Sequence, residues 1–576
     1  MADQFLHGIE ILEISNGPRP VSTIKSSVCM VWGTAPDADA DDFPLNEPVL
    51  LLSSPRKAAT LGANGTLKKA IDDIYDQDAA AVIVCRIEEG ADIFETWSNI
   101  LGDVTAKTGV WAALSAKAQL GLAPKLFSAP GFTSQRVEGA VTVINIDAAG
   151  ADLDDSIKAY IYASDVTVGV TSAAKAGMTG DGTVTLSDPA YKHPVFPGKW
   201  KAICTAAAAD GGTFKLVDPK GRVVADDLDV GSEYDGDIKF TINDGDTDYA
   251  VGDTWEITVA FTGGTGVGCT AEVTQTSGAA TAIKVTRSGF NYEAEPYVAF
   301  AGGGESATIP KATATIGDAA NPVVAEMLGP ADRLRAIIVK DGPNSTDEDA
   351  VIDRGDWGSQ RVYIVDPHVL VWDTDLDSAV SRPASARVCG LISRMDREKG
   401  YWWSPSNQTM NGVIGTARPI DFNISDPNTQ ANYLNENEVA TIVREEGFRL
   451  WGNRTTATDP LWAFLPVRRT ADMVYESIEK SFLWAMDRPL TENTILEIAE
   501  SVNEYMRHLV AVGAIIGGKC WIDPELNTKT ELQAGHLYVS FDIEPPAPLE
   551  RLTFHAHRNG AYYEEVIERV VRELTQ

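Results

Sequence analysis

From Ser27 onward the apolar positions fall into short unbroken runs separated by amphipathic stretches. Ser27-Val28-Cys29-Met30-Val31-Trp32-Gly33, Pro48-Val49-Leu50-Leu51-Leu52 and Ala80-Ala81-Val82-Ile83-Val84-Cys85-Arg86-Ile87 are of this kind, with a helix near 66–77 before the third. Such runs indicate strands buried on both faces, and their alternation with helices indicates an α/β layer with partly parallel pairing. The pattern continues through a helix at about 111–120 and a strand at Lys125-Leu126-Phe127. It resumes after Pro322 with a helix-like segment, a buried strand at Arg335–Val339, and another from Gln360 to Val371.

Between residues 138 and 321 the pattern changes. Gly, Thr, Ala, Asp and Val dominate, and short alternating runs such as Thr183–Leu186, Lys199–Ile203, Thr254–Val259 and Ala282–Thr286 are divided by Gly and Asp turns. This is an all-β pattern. The simplest account is an α/β domain (26–137 with 322–400) interrupted by an all-β insertion. The insertion divides into two modules, about 138–262 and 263–321, and stands outward, because insertions succeed at exposed loop tips.

Residues 401–576 form a mixed α+β C-terminal domain, so the whole is an α+β multidomain chain. Helices are expected over Thr429–Glu446, ended by Gly447, over Ala471–Leu483, and from Thr491 to about Ala511 with a side-chain cap. Met473, Ile478, Phe482 and Leu483 fall on the apolar side of the second. Leu537–Ile543 and Leu549–His555 alternate as strands, joined by the stiff link Pro545–Pro548. A last helix, Ala561–Leu574, puts Tyr562, Val566, Val570 and Leu574 on one stripe. At the other end, residues 1–25 read as an arm in which His7–Ile14 alternates and Pro18 and Pro20 stop regular pairing.

Charge narrows the function. The chain has 576 residues with 82 acidic and 48 basic side chains, a net charge of -34. Binding nucleic acid needs a basic face, so DNA and RNA are disfavoured as partners. No run of 18 apolar residues suggests a membrane span, and Met1–Glu10 lacks the layout of a secretory signal. The six cysteines, Cys29, Cys85, Cys204, Cys269, Cys389 and Cys520, form no CxxC pair. They are expected to be inert thiols, Cys204 and Cys269 being the better placed to pair between copies.

Candidate chemistry is sparse. Asp226, Asp227, Asp229, Glu233, Asp235 and Asp237, and the turn Asp244-Gly245-Asp246-Thr247-Asp248, invite calcium, but EF-hand spacing is absent and solvated turns are the simpler reading. Gly62-Ala63-Asn64-Gly65-Thr66 lacks a P-loop ending and reads as a helix start. His555 and His557 share a strand face without a third ligand nearby in sequence. No catalytic, cofactor-binding or metal residues are assigned, and no enzyme is expected.

The segment Gly447-Phe448-Arg449-Leu450-Trp451-Gly452-Asn453-Arg454-Thr455, then Trp484-Ala485-Met486-Asp487-Arg488-Pro489-Leu490, Asn527-Thr528-Lys529 and Pro545–Pro548, resembles the contractile tail sheath proteins of P2-like and Mu-like myophages. The resemblance implies a structural subunit that polymerises in stacked six-fold rings around a tail tube and contracts to deliver a genome through the host envelope. Its implied partners are itself, the tube protein, and baseplate and terminator proteins, without cofactor, nucleic acid or membrane insertion. The implied location is the virion tail, after assembly in the host cytoplasm. A headless bacteriocin or secretion-type sheath is the alternative within the class, and a glycan-binding adhesin acting through the β insertion is the alternative outside it. In the family, terminal arms of neighbouring subunits join a small sheet. That role maps onto Gly8, Ile9, Ile11 and Ile14, and onto Leu537, Val539, Phe541, Leu552 and Phe554. A tube-facing surface maps onto Glu565, Arg569 and Arg572.

Deleting Met1–Ser15 is expected to leave a folded protein that forms no tubes, because an edge strand of a neighbour would accept the alternating arm. Circular dichroism and sedimentation check this, and long polymers from the truncated chain would refute it.

Overall fold

Eight strands form the central sheet of the computed structural model, which describes residues 21, 23–52, 54–78, 80–303, 308–374 and 376–575. Their spatial order is Pro48–Leu52, Ala81–Ile87, Cys29–Thr34, Leu126–Ser128, Ile337–Asp341, Val362–Val365, Val439–Arg444 and Phe448–Trp451. The inner six pair in parallel and the two outermost are antiparallel. Side chains alternate between two cores. Cys29, Val31, Val82, Val84, Ile337 and Val339 face one; Met30, Trp32, Ile83, Cys85 and Ile338 face the other. Helices cover both faces, which is why these strands read as unbroken apolar runs.

Two expectations about this sheet change. The helix anticipated over Thr429–Glu446 is only Gln430–Glu436; Glu438 takes a positive φ of 60°, and Val439–Arg444 enters the sheet beside Val362–Val365. The run Val439-Ala440-Thr441-Ile442-Val443 is rich in β-branched residues and buried on both faces, so the sheet edge outweighs local helix periodicity. The α/β unit therefore reaches Trp451, past the division expected at residue 400. The single strand expected over Gln360–Val371 is two, Val362–Val365 and Val369–Asp373, which belong to different sheets. Pro367 between them has no N–H to give to a ladder.

Among the described residues, 137–319 contribute no strand to the central sheet and build separate sheets of their own. Their pairing differs from the expected sequential modules. Val137–Ala148 and Lys158–Tyr162 pair with Lys311–Ala319 and Tyr297–Ala301 in one four-stranded sheet. The strands from Thr167 to Thr262 form a second unit nested inside the first, so a boundary at 262 cuts across the pairing. Cys204 is 1% exposed in the nested core, opposite Phe214, and is not available to bridge copies. The region is anchored to the α/β unit. Phe290 is buried against Phe94 and Trp97, with ring centroids 5.7 and 5.6 Å away, and Arg287 makes a bidentate pair with Glu326 at 2.6 and 2.9 Å. Glu326 also accepts from the Trp111 indole at 2.6 Å.

The C-terminal part hangs on the helix Leu465–Ser481. One of its faces is polar and buried. Asp472 takes Arg361 from the central sheet and Arg468 from its own helix, and both Asp472 and Arg361 are almost wholly covered. Glu476 pairs with Lys125, Glu479 pairs with Arg335, and Arg469 pairs with Asp396 at 2.5 and 2.9 Å. Arg335 holds the Glu479 carboxyl below the usual carboxylate range, while burial pulls the Lys125 ammonium below the usual lysine range against the pull of Glu476. On the other side Ile478 and Phe482 join a small core with Val502, Tyr505, Met506 and Leu509 of the helix Glu492–Val512. Leu483, expected in that stripe, is exposed.

Removing one member of a buried charge cluster strands the others. Asp472→Ala is expected to cost about 3–5 kcal/mol and to lower the thermal midpoint. A triple replacement of Arg361, Arg468 and Asp472 by apolar residues of similar volume is expected to recover most of it. Calorimetry of both variants checks the pair of outcomes.

Candidate assembly interface

Past the small core the chain offers a two-stranded antiparallel sheet, Gly517–Ile522 with Val539–Glu544. No third strand joins it among the described residues. The link between the strands is fixed by the asparagine of the Asn527-Thr528-Lys529 motif. Asn527 donates to the Tyr538 carbonyl and accepts from the Tyr538 amide, both at 2.8 Å, and the Thr528 hydroxyl caps the helix Lys529–Gln533. On the helix side Asn503 does the same for Cys520, accepting from its amide at 2.8 Å and donating to its carbonyl at 3.2 Å. An unpaired strand edge is a template for main-chain pairing with another chain.

The structure places the expected contact residues in three groups. Gly8, Ile9, Ile11 and Ile14 lie outside the described residues. Val539 and Phe541 are half-buried against the protein's own helices, Phe541 with its ring 5.9 Å from Tyr475, so their side chains serve the internal core. Leu537 is half-buried too. What that strand can offer a neighbour is therefore its backbone edge. Leu552 and Phe554 are 63% and 84% exposed. They do not sit on a strand: Leu549–His555, expected as the hairpin partner of Leu537–Ile543, has no regular structure, and Gly517–Ile522 takes the partner's place. His555 and His557 are exposed with it.

Residues 549–575 are exposed throughout. This arm is tied back by Arg454, whose guanidinium makes a bidentate pair with Glu550 at 2.9 and 2.6 Å and lies 4.8 Å above the Phe464 ring. The Glu550 hydrogen bonds raise the Arg454 pKa above its ordinary value. The arm ends in the helix Tyr562–Leu574, every residue of which is exposed. Glu565 and Arg569 pair along it at 3.3 Å, and Arg572 follows one turn later.

The other motif residues are structural. Gly452 has φ 143°, a Cβ there would lie 2.7 Å from the Ala440 Cα, and its carbonyl accepts from the buried Tyr363 hydroxyl at 2.8 Å. Arg488 stacks 4.8 Å over Trp484. Sequence reasoning missed the Arg454–Glu550 tie and the buried face of Leu465–Ser481. The spacing Arg468, Asp472, Glu476 was visible, but it reads equally as a solvated stripe. Of the candidate calcium ligands, Asp244 and Asp248 come together with Asp210, their carboxylate oxygens within 4.8 Å of one another. Two of the three are exposed, as in a solvated acidic turn. Gly62 and Gly65 have positive φ, and the Thr66 hydroxyl accepts from the Thr34 amide, a structural turn.

Family models match the second half of the chain, and relatives match nearly all of it. The phage tail sheath protein central domain matches residues 307–456, and the phage tail sheath C-terminal domain matches 457–558. The tail sheath protein of Burkholderia phage BcepMu is 31% identical over 578 residues, covering 98% of this chain and 98% of that protein. The tail sheath protein of Escherichia phage P2 is 23% identical over 573 residues with the same coverage. A prophage major tail sheath protein of Pseudomonas aeruginosa strain UCBPP-PA14 is 40% identical over 246 residues, 43% of this chain and 64% of that protein. Among solved structures, the contracted helical sheath of the anti-feeding prophage aligns over 96% of this chain and 100% of its own, with 13% identity and a TM-score of 0.49.

An exposed ion pair is worth under about 1 kcal/mol. Glu550→Gln is therefore expected to leave the thermal midpoint unchanged while making the 545–561 link more sensitive to limited proteolysis. A fall in stability without faster cleavage would show that the pair holds the fold together and does not merely tether the arm.

Proposed function

We propose that this chain, which belongs to the phage tail sheath family, is the structural subunit of a contractile tail. Copies polymerise as stacked six-fold rings around a tail tube, and conversion to a shorter, wider packing drives the tube through the host envelope for genome delivery. The observation that carries the reading is the match to the BcepMu tail sheath protein along 98% of both chains. The geometry supports it near the C-terminal end. A two-stranded sheet that no third strand joins among the described residues is followed by an exposed arm, tied to the body at Glu550. Main-chain pairing between such an edge and a neighbour's arm gives linkage without a pocket or a cofactor.

Leu552 and Phe554 on the arm, the edge of Val539–Glu544, and Gly8–Ile14 are the linking elements in this proposal. The helix face bearing Glu565, Arg569 and Arg572 turns to the tube, and residues 138–321 stand outward. The tube, the baseplate and a terminator are the further partners; the role is structural and involves no turnover. Contraction is strain release between two packings of the same subunits. Assembly takes place in the host cytoplasm and the product resides in the virion tail.

Negative-stain microscopy of the purified protein tests this. Hollow tubes or stacked rings of uniform width are expected. A protein that stays monomeric at high concentration, with and without tube protein, would overturn the reading.

A further inference from the structure

The sequence contains the Asn–Gly pairs Asn16–Gly17, Asn64–Gly65, Asn411–Gly412 and Asn559–Gly560. Asparagine is thermolabile because the next backbone nitrogen can attack its side-chain carbonyl carbon. A following glycine has no side chain, which leaves that nitrogen open and free to turn. The pairs differ in how firmly the fold holds them. Asn16–Gly17 lies outside the described residues. Asn64–Gly65 is pinned from both sides: the Asn64 amide donates to the Asp37 carboxylate at 3.1 Å, and the Thr66 amide donates to the Thr34 carbonyl at 2.9 Å. Gly65 itself holds a φ of 89°. Asn411–Gly412 is held more tightly still. The Asn411 side-chain amide donates to the Asp76 carbonyl at 3.1 Å, its backbone amide donates to Gln77 at 2.9 Å, and its carbonyl accepts from Gln77 at 2.7 Å.

Asn559–Gly560 lacks such restraints. It lies in the exposed, irregular stretch that joins Glu550 to the helix Tyr562–Leu574, and a Cβ on Gly560 would meet nothing within 4 Å. One contact does form, and it favours attack. The Asn559 Oδ1 accepts from the Ala561 amide at 3.0 Å, the hydrogen bond of an Asx turn. Negative charge gathers on that oxygen when a nucleophile adds to Cγ, and a donor already aimed at it stabilises the charge as it develops. Among the described residues, no hydrogen bond engages the Asn559 Nδ2, so the leaving group is unrestrained.

We propose that Asn559 is a site of spontaneous modification, at which the Gly560 nitrogen attacks the Asn559 Cγ and the arm is converted to aspartyl and isoaspartyl forms. The N–Cγ bond forms and the Cγ–Nδ2 bond breaks. Ammonia leaves with the proton shed by the Gly560 nitrogen, and a cyclic imide remains. Water then opens the imide. Opening at Cγ restores the ordinary main chain with an aspartyl side chain. Opening at the backbone carbonyl routes the main chain through Cβ and Cγ, one methylene longer. The net reaction consumes water and turns a neutral amide into a carboxylate and ammonium, with no oxidant or reductant. The new charge arises just before Ala561, the first turn's flanking residue, which gives the helix no side-chain cap. A carboxylate near a helix N-terminus is favourable, so the aspartyl form reinforces the start of the helix, while the isoaspartyl form lengthens its link to Glu550. Copies of one chain thus come to differ in arm length and charge, in a proportion set by their age. This chemistry belongs to the chain itself and does not depend on sheath assembly.

The full-length protein, held in mildly alkaline buffer and sampled over time, tests this by peptide mapping and by labelling with an isoaspartyl methyltransferase. The peptide bearing residue 559 is expected to gain about 1 Da and to take up label at least tenfold faster than the peptides bearing Asn64 and Asn411. In the urea-unfolded chain the three rates are expected to converge, because the fold separates them. Gly560→Ala is expected to slow the reaction at least tenfold, and Ala561→Pro, which removes the donor to Oδ1, at least threefold. An Asn559 that stays intact in the folded chain, or reacts no faster than Asn411, would overturn the proposal. So would a separation of rates that survives unfolding, or a mass gain without isoaspartyl label, which would exclude the imide. An unchanged rate in Ala561→Pro would overturn the part assigned to that amide.

Discussion

The buried polar face of Leu465–Ser481 is the constraint on which the rest of this molecule depends. Charges taken out of water are tolerated only when each finds its partner in good geometry. Here Asp472, Glu476 and Arg469 find Arg361, Lys125 and Asp396, which come from the central sheet and the helices packed on it, while the exposed Glu479 adds a pair with Arg335. The segment that follows the N-terminal arm is tied to the same helix: the Ile24 amide donates to the Ser477 hydroxyl at 3.3 Å, and Val21 packs on the small core beyond. Val21 and Ile24, the sheet and the C-terminal strands are thus registered against one element. A displacement of that helix would break several pairs at once, so the joint resists gradual sliding.

That rigidity decides where movement can occur in a polymer of these subunits. The two-stranded sheet is held by Asn503, Asn527 and the packing of Val539, Phe541 and Ile543, and moves with the helices beneath it. Residues 549–559 have no regular structure, are exposed throughout, and are tied to the body by the exposed Arg454–Glu550 ion pair. Under the proposed function, subunits change their mutual positions by bending such links while the joined strands stay paired. A contraction driven by strain release needs this division between stiff bodies and compliant connections.

The β-rich region follows a different logic. Its two units are nested, the inner one leaving and returning between Tyr162 and the strand Val267–Thr276, and they share a core in which Ala299 and Ala301 of the outer sheet join Trp200 and Ile257 of the inner. It is fastened to the α/β unit by Phe290 between Phe94 and Trp97 and by Arg287 on Glu326. Excising it would leave Phe94 and Trp97 uncovered, so its tolerance of removal depends on those two side chains as much as on the joined ends.

By itself the sequence determined what depends on neighbours along the chain. The unbroken apolar runs at 28–32 and 81–87 are strands with two buried faces, Thr491 caps its helix, and the all-β character of 138–321 is legible from alternation and turns. The order of motifs after Gly447 carried the family. Tertiary structure decided whatever needed a distant partner. Val439–Arg444 is a strand because Val362–Val365 presents an edge to it. Val539 and Phe541 face inward because two helices lie beneath them, and the strand that pairs with Val539–Glu544 is Gly517–Ile522, not Leu549–His555. The polar stripe of Leu465–Ser481 is buried because Arg361 and Lys125 arrive from 111 and 351 residues away. Local periodicity reports which face is apolar; only the assembled fold supplies the countercharges and strand edges that decide what each face meets.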